Sequence, residues 1–473
     1  MRQDSDQNNR RSRRSAAAVL CLLFAILVLP VVMSTQGTLG DGATDIKYPT
    51  SEMGDQRKYH EETILVFAEQ WPSVDLVNYP SATAPGYHLL MALVARYTSH
   101  DLMILQLVSS LLSFGLLLVV WGYGARHAGA WPALGLMLPL VASSYVIGSG
   151  IWLVTDNAGL LFVCLALGGA MMVQPTPMRT ARWALYATCA AGIRQIHVWV
   201  AAPVVLAALL GSPLSRYAPR HLRAGLKQTL TMPVLFATLP VLLLPLVLVG
   251  VFALLWGGLT PPEFADRHSA GLAPATFAIV LALVGVFGVF FLPAFCQKWT
   301  DILKVDQWLV IAVILALAIS LIFPTSYDQS LGRWGGAIWE LVRRMPDVAG
   351  RSIVFPPLAA LGAVVLVHAW RAAGRAGRAR EATVLLLSLL GWMIAESVNT
   401  QSGQRYYEPM ILVGLAWLAA LSVSPTKVTA RFVPAHRLWW AGPAALGAIQ
   451  LVLSASTVYL PVLRWHSSSS LIG

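Results

Sequence analysis

The chain has 473 residues, of which 57% are hydrophobic and 12% are charged, and its mean hydropathy is +0.65. About a quarter of the residues in a soluble enzyme are charged, so this composition excludes a soluble enzyme and indicates a polytopic membrane protein. The net charge of +11 arises from Lys and Arg in short gaps between apolar runs, which leaves no basic face for nucleic acid.

The N-terminal segment predicts a retained first span. Residues 1–15 are polar, carry five arginines and are expected to be disordered and cytoplasmic. The apolar run at 16–34 is longer than the core of about 7 to 15 residues in a signal peptide, and it has no clear cleavage site. We therefore expect a membrane helix with its N-terminus inside.

Residues 35–101 are predicted to form a long extracytoplasmic first loop that ends in a re-entrant segment. The loop is acidic, and apolar residues between Tyr59 and Trp71 can line one side of an amphipathic interfacial helix. Residues 86–98 would rise only about 20 Å as a helix, too little for a hydrocarbon core of about 30 Å. This segment is therefore expected to enter the membrane without crossing it.

Further apolar runs bring the total to about thirteen predicted transmembrane helices in one domain at 16–463, followed by a disordered tail at 464–473. A short hairpin is expected to turn around Arg194 and Gln195 partway through the membrane. The remaining predicted spans are 102–122, 130–149, 155–173, 183–193 with 196–211, 231–256, 274–295, 307–323, 352–369, 382–400, 409–424 and 438–462.

The basic gaps set the predicted orientation, because cytoplasmic loops of membrane proteins are rich in Lys and Arg. With these spans the strongly basic gaps all lie inside: Arg126; Arg179 and Arg182; Arg216, Arg220, Arg223 and Lys227; Lys298 and Lys304; Arg371, Arg375, Arg378 and Arg380; Lys427, Arg431 and Arg437. The polar segments 35–85, 257–273, 324–351 and 401–408 then share the outer face.

Two ionisable residues at predicted membrane depth are candidates for chemistry. Asp156 begins a span and either faces an aqueous cavity or caps the helix. Arg194 lies between two apolar arms, where its forked donors suit a phosphate, although an ion pair with Asp156 is a competing explanation. His197, three residues further on, is more typical of a packed, hydrogen-bonded histidine than of a catalytic residue.

Two outer loops add further candidates. The segment from Gly257 to His268 concentrates glycines, prolines and titratable groups, a pattern that ordinary turns also show. In the other loop, Arg405 is followed by Tyr406 and Tyr407 directly above a span. That arginine suits a phosphate or sugar hydroxyls, whereas the tyrosines are also typical of an interfacial aromatic belt.

These motifs, in this order between about residues 50 and 410, resemble the GT-C superfamily of polyprenyl-phosphate-sugar-dependent glycosyltransferases, and within it the dolichyl-phosphate-glucose α-1,2-glucosyltransferase family. The family has an Asp-Glu-x-x-His motif, but here one more residue separates Asp55 from His60 and Gln56 replaces the second acid. The other similar segments are Thr83, Ala84, Pro85 and Gly86; Val154, Thr155 and Asp156; Arg194 to Trp199, where Ile-His replaces the family's Thr-Asn; Gly257, Gly258, Asp266 and His268; and Gln404, Arg405, Tyr406 and Tyr407.

The resemblance implies a GT-C-like membrane enzyme that transfers a hexose, expected to be glucose, from a polyprenyl-phosphate donor to a glycan or lipid-linked acceptor. The reaction inverts the anomeric centre at the extracytoplasmic face of the cell membrane. It requires no nucleotide-binding domain, and it leaves open a divalent cation as a cofactor.

The resemblance also assigns site residues. Asp55 is the expected general base, and Asp156 and His60 support it or position the acceptor. The expected donor phosphate and sugar contacts are Arg194, Gln195, Arg405, Tyr406, Tyr407, Asp266 and His268.

Two other classes stay open on the residues alone. A flippase or transporter could use buried Asp156, Arg194 and Glu396 as a substrate or proton path. The acidic first loop and the absence of a detectable inverted repeat favour the enzyme. An O-antigen polymerase or ligase also uses lipid-linked sugars, but a larger late outer loop than 324–351 is expected for it.

Overall fold

The computed structural model describes residues 2–34, 48–172, 174–223, 227–265, 271–296, 300, 304–423 and 439–469. Within these ranges the chain is built from helices and connecting loops. One small antiparallel hairpin pairs β1 (Asp347–Val348) with β2 (Arg351–Ser352). The predicted all-α class therefore describes the architecture.

Apolar helices make this a multi-pass membrane protein. Six segments of the described chain are long and apolar enough to cross a membrane: Gln7–Ser34, Leu102–Ala128, Met232–Trp256, Ala275–Phe295, Phe355–Arg375 and Ala441–Trp465. A seventh crossing arises if the bent pair Ala130–Ala142 and Ser144–Ile151 is one span. The predicted count of about thirteen is not confirmed, because several predicted spans form helices of about 24 Å or less that fall short of a hydrocarbon core.

The first helices after the N-terminal span surround the candidate site. Helix α1 (Arg2–Ser34) includes residues 2–15, which belong to the segment expected to be disordered and here continue the helix without a break. Helix α2 (Ser51–Asp55) is capped by the Thr50 side chain, which accepts a hydrogen bond from Met53 N at 3.2 Å. A π-helical turn (Gln56–His60) follows, then α3 (Glu61–Gln70) and α4 (Gly86–Tyr97), the segment predicted to be re-entrant.

The π-helical turn accounts for the extra residue between Asp55 and His60. The amide of Glu61 donates to the carbonyl of Gln56, five residues earlier, which widens the turn by one residue. Gln56 is fully buried, and its Oε1 accepts from Gln106 Nε2 at 3.1 Å and from Leu153 N at 2.8 Å. These contacts fix the first loop against the bundle.

Two helix breaks follow in the middle of the bundle. Helix α5 (Leu102–Ala128) leads to α6 (Ala130–Ala142) and α7 (Ser144–Ile151), which meet at 71° around Ser143. Helices α8 (Asp156–Met172) and α9 (Pro177–Ile193) then lead to an extended residue, Arg194, and a 3₁₀ segment (Gln195–Val200) before α10 (Ala201–Leu210). The chain thus breaks at the residues where the sequence predicts the turn of a short hairpin.

The second half of the chain completes the bundle. A short α11 (Arg220–Arg223) precedes it, and the last helix ends at Ser469, beyond the start of the tail expected to be disordered. The remaining helices are α12 (Met232–Trp256), α13 (Ala275–Gly288), α14 (Leu292–Phe295), α15 (Gln307–Ile322), α16 (Ala337–Arg344), α17 (Phe355–Arg375), α18 (Ala379–Glu396), α19 (Gln404–Ser422), α20 (Ala441–Ser454) and α21 (Leu460–Ser469).

Hydrogen bonds gather several connecting segments at one end of the bundle, called here the site end. Trp256 Nε1 donates to the Leu76 carbonyl at 2.8 Å, which joins the end of α12 to the first loop. The amide of Ala273 donates to Ser397, and the amide of Gln404 donates to Gly335. Segments that are far apart in the sequence therefore meet where α8 and α19 begin; that this end faces outward remains a prediction.

Candidate active site

Four charged residues form one connected cluster at the site end. Asp55 ends α2, Asp156 begins α8, Arg194 lies at the break after α9, and Arg405 is in the first turn of α19. Arg405 Nη1 donates to Asp55 Oδ2 at 2.5 Å, and its Nη2 lies 3.3 Å from Asp156 Oδ2. Arg194 Nη1 donates to Asp156 Oδ1. The order of contacts is therefore Asp55, Arg405, Asp156, Arg194, with formal charges that balance.

Solvent access distinguishes the two carboxylates. The side chain of Asp55 is 30% exposed, against 13% for Asp156. Asp156 lies between two guanidinium groups, an arrangement that offsets the cost of burying its charge. Asp55 contacts one guanidinium and is the more exposed of the two carboxylates. The sequence suggested an ion pair between Asp156 and Arg194 as an alternative to ligand binding, and the structure contains this ion pair.

Tyr406 lies beside both arginines, whereas Tyr407 belongs to the core. The guanidinium carbons of Arg194 and Arg405 are each 5.5 Å from the Tyr406 ring centroid, which is within the range of cation–π contacts. Tyr407 is fully buried, its ring packs edge-on against Trp392, and its hydroxyl is 3.5 Å from Thr276 Oγ1. Neighbouring tyrosines, predicted to share the donor, therefore face different surroundings.

A cavity of about 440 Å³, including its open mouth, adjoins the cluster. Arg194, Arg405, Asp156 and Tyr406 form one part of its wall. The rest is made by Asn157, Leu160, His197, Trp199, Trp392, Glu396, Pro409 and Met410. The lining therefore combines guanidinium, carboxyl and indole groups, which suit a polar ligand.

Gln195 is engaged with the backbone of two loops. Its Oε1 accepts from Ala84 N at 2.8 Å, and its Nε2 lies 2.9 Å from the carbonyls of both Ala82 and Leu259. An amide that already pairs with three backbone groups has little hydrogen-bonding capacity left for a donor sugar. Gln195, predicted as a donor contact, instead ties the first loop and the Leu259 loop to the residue beside Arg194.

Close backbone packing positions Arg194. A Cβ atom on Gly86, the first residue of α4, would lie 2.5 Å from the carbonyl oxygen of Gly192. Only glycine permits this approach between α4 and the end of α9. Gly86, the last residue of the Thr-x-Pro-Gly stretch, therefore allows α4 to contact the backbone two residues before Arg194.

His60 pairs with a histidine that the sequence did not single out. Its Nδ1 lies 2.8 Å from His88 Nε2, and the two rings stack. Burial lowers the pKa of His60 to about 4, although the nearby charge of Asp55 acts in the opposite direction. His60 is therefore neutral near pH 7, which suits a positioning role better than a proton donor.

A further acidic residue, Glu52, lies near the cluster. Burial raises the pKa of Glu52, and the charge of Arg405 partly opposes that shift. Glu52 also packs against the backbone, since a Cβ on Gly148 would meet its side chain at 3.2 Å. Glu52 is one of several acids in the first loop and His88 is a single histidine in the mostly apolar helix α4, so neither gave a distinct signal in the sequence.

Two predicted donor contacts, Asp266 and His268, lie outside the described residues. Within the described ranges, no group of three or more His, Cys, Asp or Glu residues is arranged to hold a metal ion.

Comparisons with known proteins give two structural likenesses. The crystal structure of ArnT from Cupriavidus metallidurans in the apo state is 16% identical, with 86% of this chain and 78% of that chain covered and a TM-score of 0.34. The structure of ArnT from Cupriavidus metallidurans bound to undecaprenyl phosphate is 13% identical, with 93% and 88% covered and the same TM-score. No family model and no curated protein matches the chain. Structural similarity at this TM-score and sequence identity does not establish a shared fold or function.

Proposed function

We propose that this protein is a membrane-embedded, inverting glycosyltransferase. It transfers a hexose, taken to be glucose, from a polyprenyl-phosphate donor to a glycan or lipid-linked acceptor at the extracytoplasmic face. The observation that carries the proposal is the cluster of Asp55, Arg405, Asp156 and Arg194 beside an open cavity. Two guanidinium groups and an accessible carboxylate are the groups that this reaction needs.

Arg194 and Arg405 would hold the donor phosphate. Both line the cavity, and each guanidinium can present two parallel N–H groups to phosphate oxygens. Negative charge grows on this phosphate as its bond to the sugar breaks. Donors that are already in place and partly shielded from water stabilise that charge most in the transition state.

Asp55 would act as the general base. The acceptor oxygen attacks the anomeric carbon and forms the new glycosidic bond, while its proton passes to the Asp55 carboxylate. The bond between the anomeric carbon and the phosphate oxygen breaks, and the electron pair leaves with the polyprenyl phosphate. Asp156 keeps both arginines oriented, and His60 supports the turn that carries Asp55.

The contacts seen without a donor suggest an order of events. Asp55 and Asp156 occupy the Arg405 nitrogens that a phosphate would bind. A phosphate that replaces Asp55 on Arg405 would release the carboxylate toward the acceptor. Donor binding would thereby prepare the base.

Transfer of labelled sugar tests the proposal. Membranes that contain the wild-type protein are incubated with the radiolabelled glucose, galactose and mannose esters of undecaprenyl phosphate, and loss of label from the donor is measured. Membranes with the Asp55→Asn variant serve as the matched control. We expect release of undecaprenyl phosphate and transfer of one sugar in the wild type alone. A protein that moves these lipids across the bilayer without breaking the sugar–phosphate bond would be a carrier, and the proposal would fail.

Reporter fusions test the proposed location in the cell membrane with the site end outward. Fusions at Arg220 and Arg378 should read cytoplasmic, because these residues belong to basic gaps. A fusion at Gly335, which contacts Gln404 beside the cluster, should read outside. The reverse pattern would place the site on the cytoplasmic face.

A further inference from the structure

Part of the cavity wall has no role in the proposed transfer as described so far. Glu396 ends α18, is 4% exposed and lies in the wall that Arg194 and Arg405 share. Within the described part of the chain, its carboxyl group receives one hydrogen bond, from Trp392 Nε1 to Oε1 at 3.0 Å. A buried carboxyl with unused hydrogen-bonding capacity is costly unless water, a proton or a ligand completes it.

Trp199 supplies a complementary group. It lines the same cavity and is 7% exposed, and its indole nitrogen is buried without a hydrogen-bond partner in the described structure. A buried indole N–H normally has an acceptor. The residues that line the cavity therefore include Trp199 with its unpaired buried donor, Glu396 with its carboxyl group, and two indole rings.

We infer that Glu396 and Trp199, together with the Trp392 ring, form the subsite for the sugar of the donor. A hexose presents hydroxyl groups that both donate and accept, and apolar C–H faces that pack against aromatic rings. Glu396 accepts from hydroxyl groups, and Trp199 donates to one. A sugar joined to a phosphate on Arg194 and Arg405 must lie within a few bonds of that phosphate, in the remainder of the same cavity.

This inference rests on the proposed function, and it adds a distinction between two lipids. The arginines recognise the phosphate that both polyprenyl phosphate and its sugar ester carry. Glu396 and Trp199 recognise only the sugar. Changes at these two residues should therefore affect the sugar ester selectively.

The test measures two affinities of the purified protein. One is for undecaprenyl phosphate. The other is for the glucose, galactose or mannose ester of this lipid, whichever the wild type binds most tightly. Glu396→Gln keeps the shape and can still accept from Trp392, and Trp199→Phe keeps a ring but removes the N–H. Each substitution should weaken binding of the sugar ester by about tenfold or more, as expected for a lost hydrogen bond to a charged or buried group. The affinity for undecaprenyl phosphate should stay within about twofold of the wild type.

Matched controls separate this loss from general damage. Trp152 is fully buried, also has an indole nitrogen without a partner in the described structure, and does not line the cavity, so Trp152→Phe repeats the same deletion elsewhere. Glu340→Gln removes an exposed carboxylate on α16. Both controls should bind the two lipids as the wild type does.

Two outcomes would overturn the inference and are distinguishable. If the wild type binds neither lipid, the proposed function fails and the subsite fails with it. If the wild type binds both lipids, but Glu396→Gln and Trp199→Phe weaken binding of the two lipids equally or not at all, only the inferred sugar subsite is wrong.

Discussion

Replacing Arg405 by lysine should weaken donor binding while preserving the charge. The Arg405 side chain is 14% exposed and reaches Asp55 through Nη1 and Asp156 through Nη2. A lysine ammonium is a single point of charge and cannot span two partners, so a phosphate at this position loses at least one charge-assisted hydrogen bond. Such a bond is worth about 1.5 to 3 kcal/mol, which corresponds to about a 10- to 160-fold loss of affinity.

The measurement is binding of undecaprenyl phosphate to purified Arg405→Lys protein in detergent, by a fluorescence or thermophoresis titration. Arg344→Lys is the matched control, because the Arg344 side chain is 74% exposed and its nitrogen is 3.8 Å from Glu340. The control should retain wild-type affinity. If Arg405→Lys also binds within about threefold of the wild type, Arg405 does not hold the phosphate by two parallel bonds.

Three further predictions concern the first loop. Asp55→Asn should reduce turnover by about 10² or more without weakening donor binding, because the phosphate no longer has to displace a carboxylate from Arg405; Glu69→Gln, at an exposed acid on α3, should not reduce turnover, and equal losses would remove Asp55 from the role of base. The pKa of His60 is lowered to about 4 in the folded protein, whereas that of a histidine in the unfolded chain is about 6.5. As the pH falls from about 6.5 to about 4, the unfolded chain therefore binds a proton that the folded protein does not bind, and the folded protein loses stability. His60→Gln should therefore show a smaller fall in Tm between about pH 7.5 and 5 than the wild type, and an equal fall would contradict this. Gly86→Ala should destabilise by about 1 to 3 kcal/mol and lower turnover, while Gly122→Ala, where a Cβ meets nothing within 4 Å, should do neither; unaltered Tm and activity in Gly86→Ala would show that the backbone can shift.

Helix positions could be predicted well because apolar run length directly limits where a helix can be buried. The predicted span at 231–256 corresponds to α12 (Met232–Trp256), and the one at 155–173 corresponds to α8 (Asp156–Met172). The number of membrane crossings could not be counted in the same way. Whether a helix of 16 or 17 residues crosses, bends or packs inside the bundle depends on its neighbours, which a hydropathy pattern does not contain.

The charged part of the site was also accessible to sequence reasoning, whereas side-chain direction was not. Asp156, Arg194 and Arg405 stand out as ionisable groups beside apolar runs, whereas Asp55 is singled out by the resemblance to the Asp-Glu-x-x-His motif. The structure brings the four together. The direction of a side chain next to a helix break depends on tertiary contacts. Gln195 therefore looked like a ligand contact, although its amide joins two loops.

The π-helical turn shows the same limit in the backbone. Nothing in the segment from Gln56 to His60 indicates a shift from four-residue to five-residue hydrogen bonding. The shift accompanies the buried contacts of Gln56 with Gln106 and with Leu153 N. Those partners lie on other elements, so the spacing between Asp55 and His60 could be noted in the sequence but not explained.

The separation of 350 residues between Asp55 and Arg405 has a consequence for biogenesis. At about 5 to 20 residues per second, the ribosome needs roughly 20 to 70 s to make the intervening chain. During that interval Asp55 and Asp156 have emerged with Arg194 as their only counter-charge from the four-residue cluster. The nascent protein must therefore keep this end of the bundle open to water, or shielded by the insertion machinery, until the helix that begins at Gln404 arrives and neutralises it. A chain truncated before that helix should be recognised as defective and degraded even though most of its membrane helices are complete.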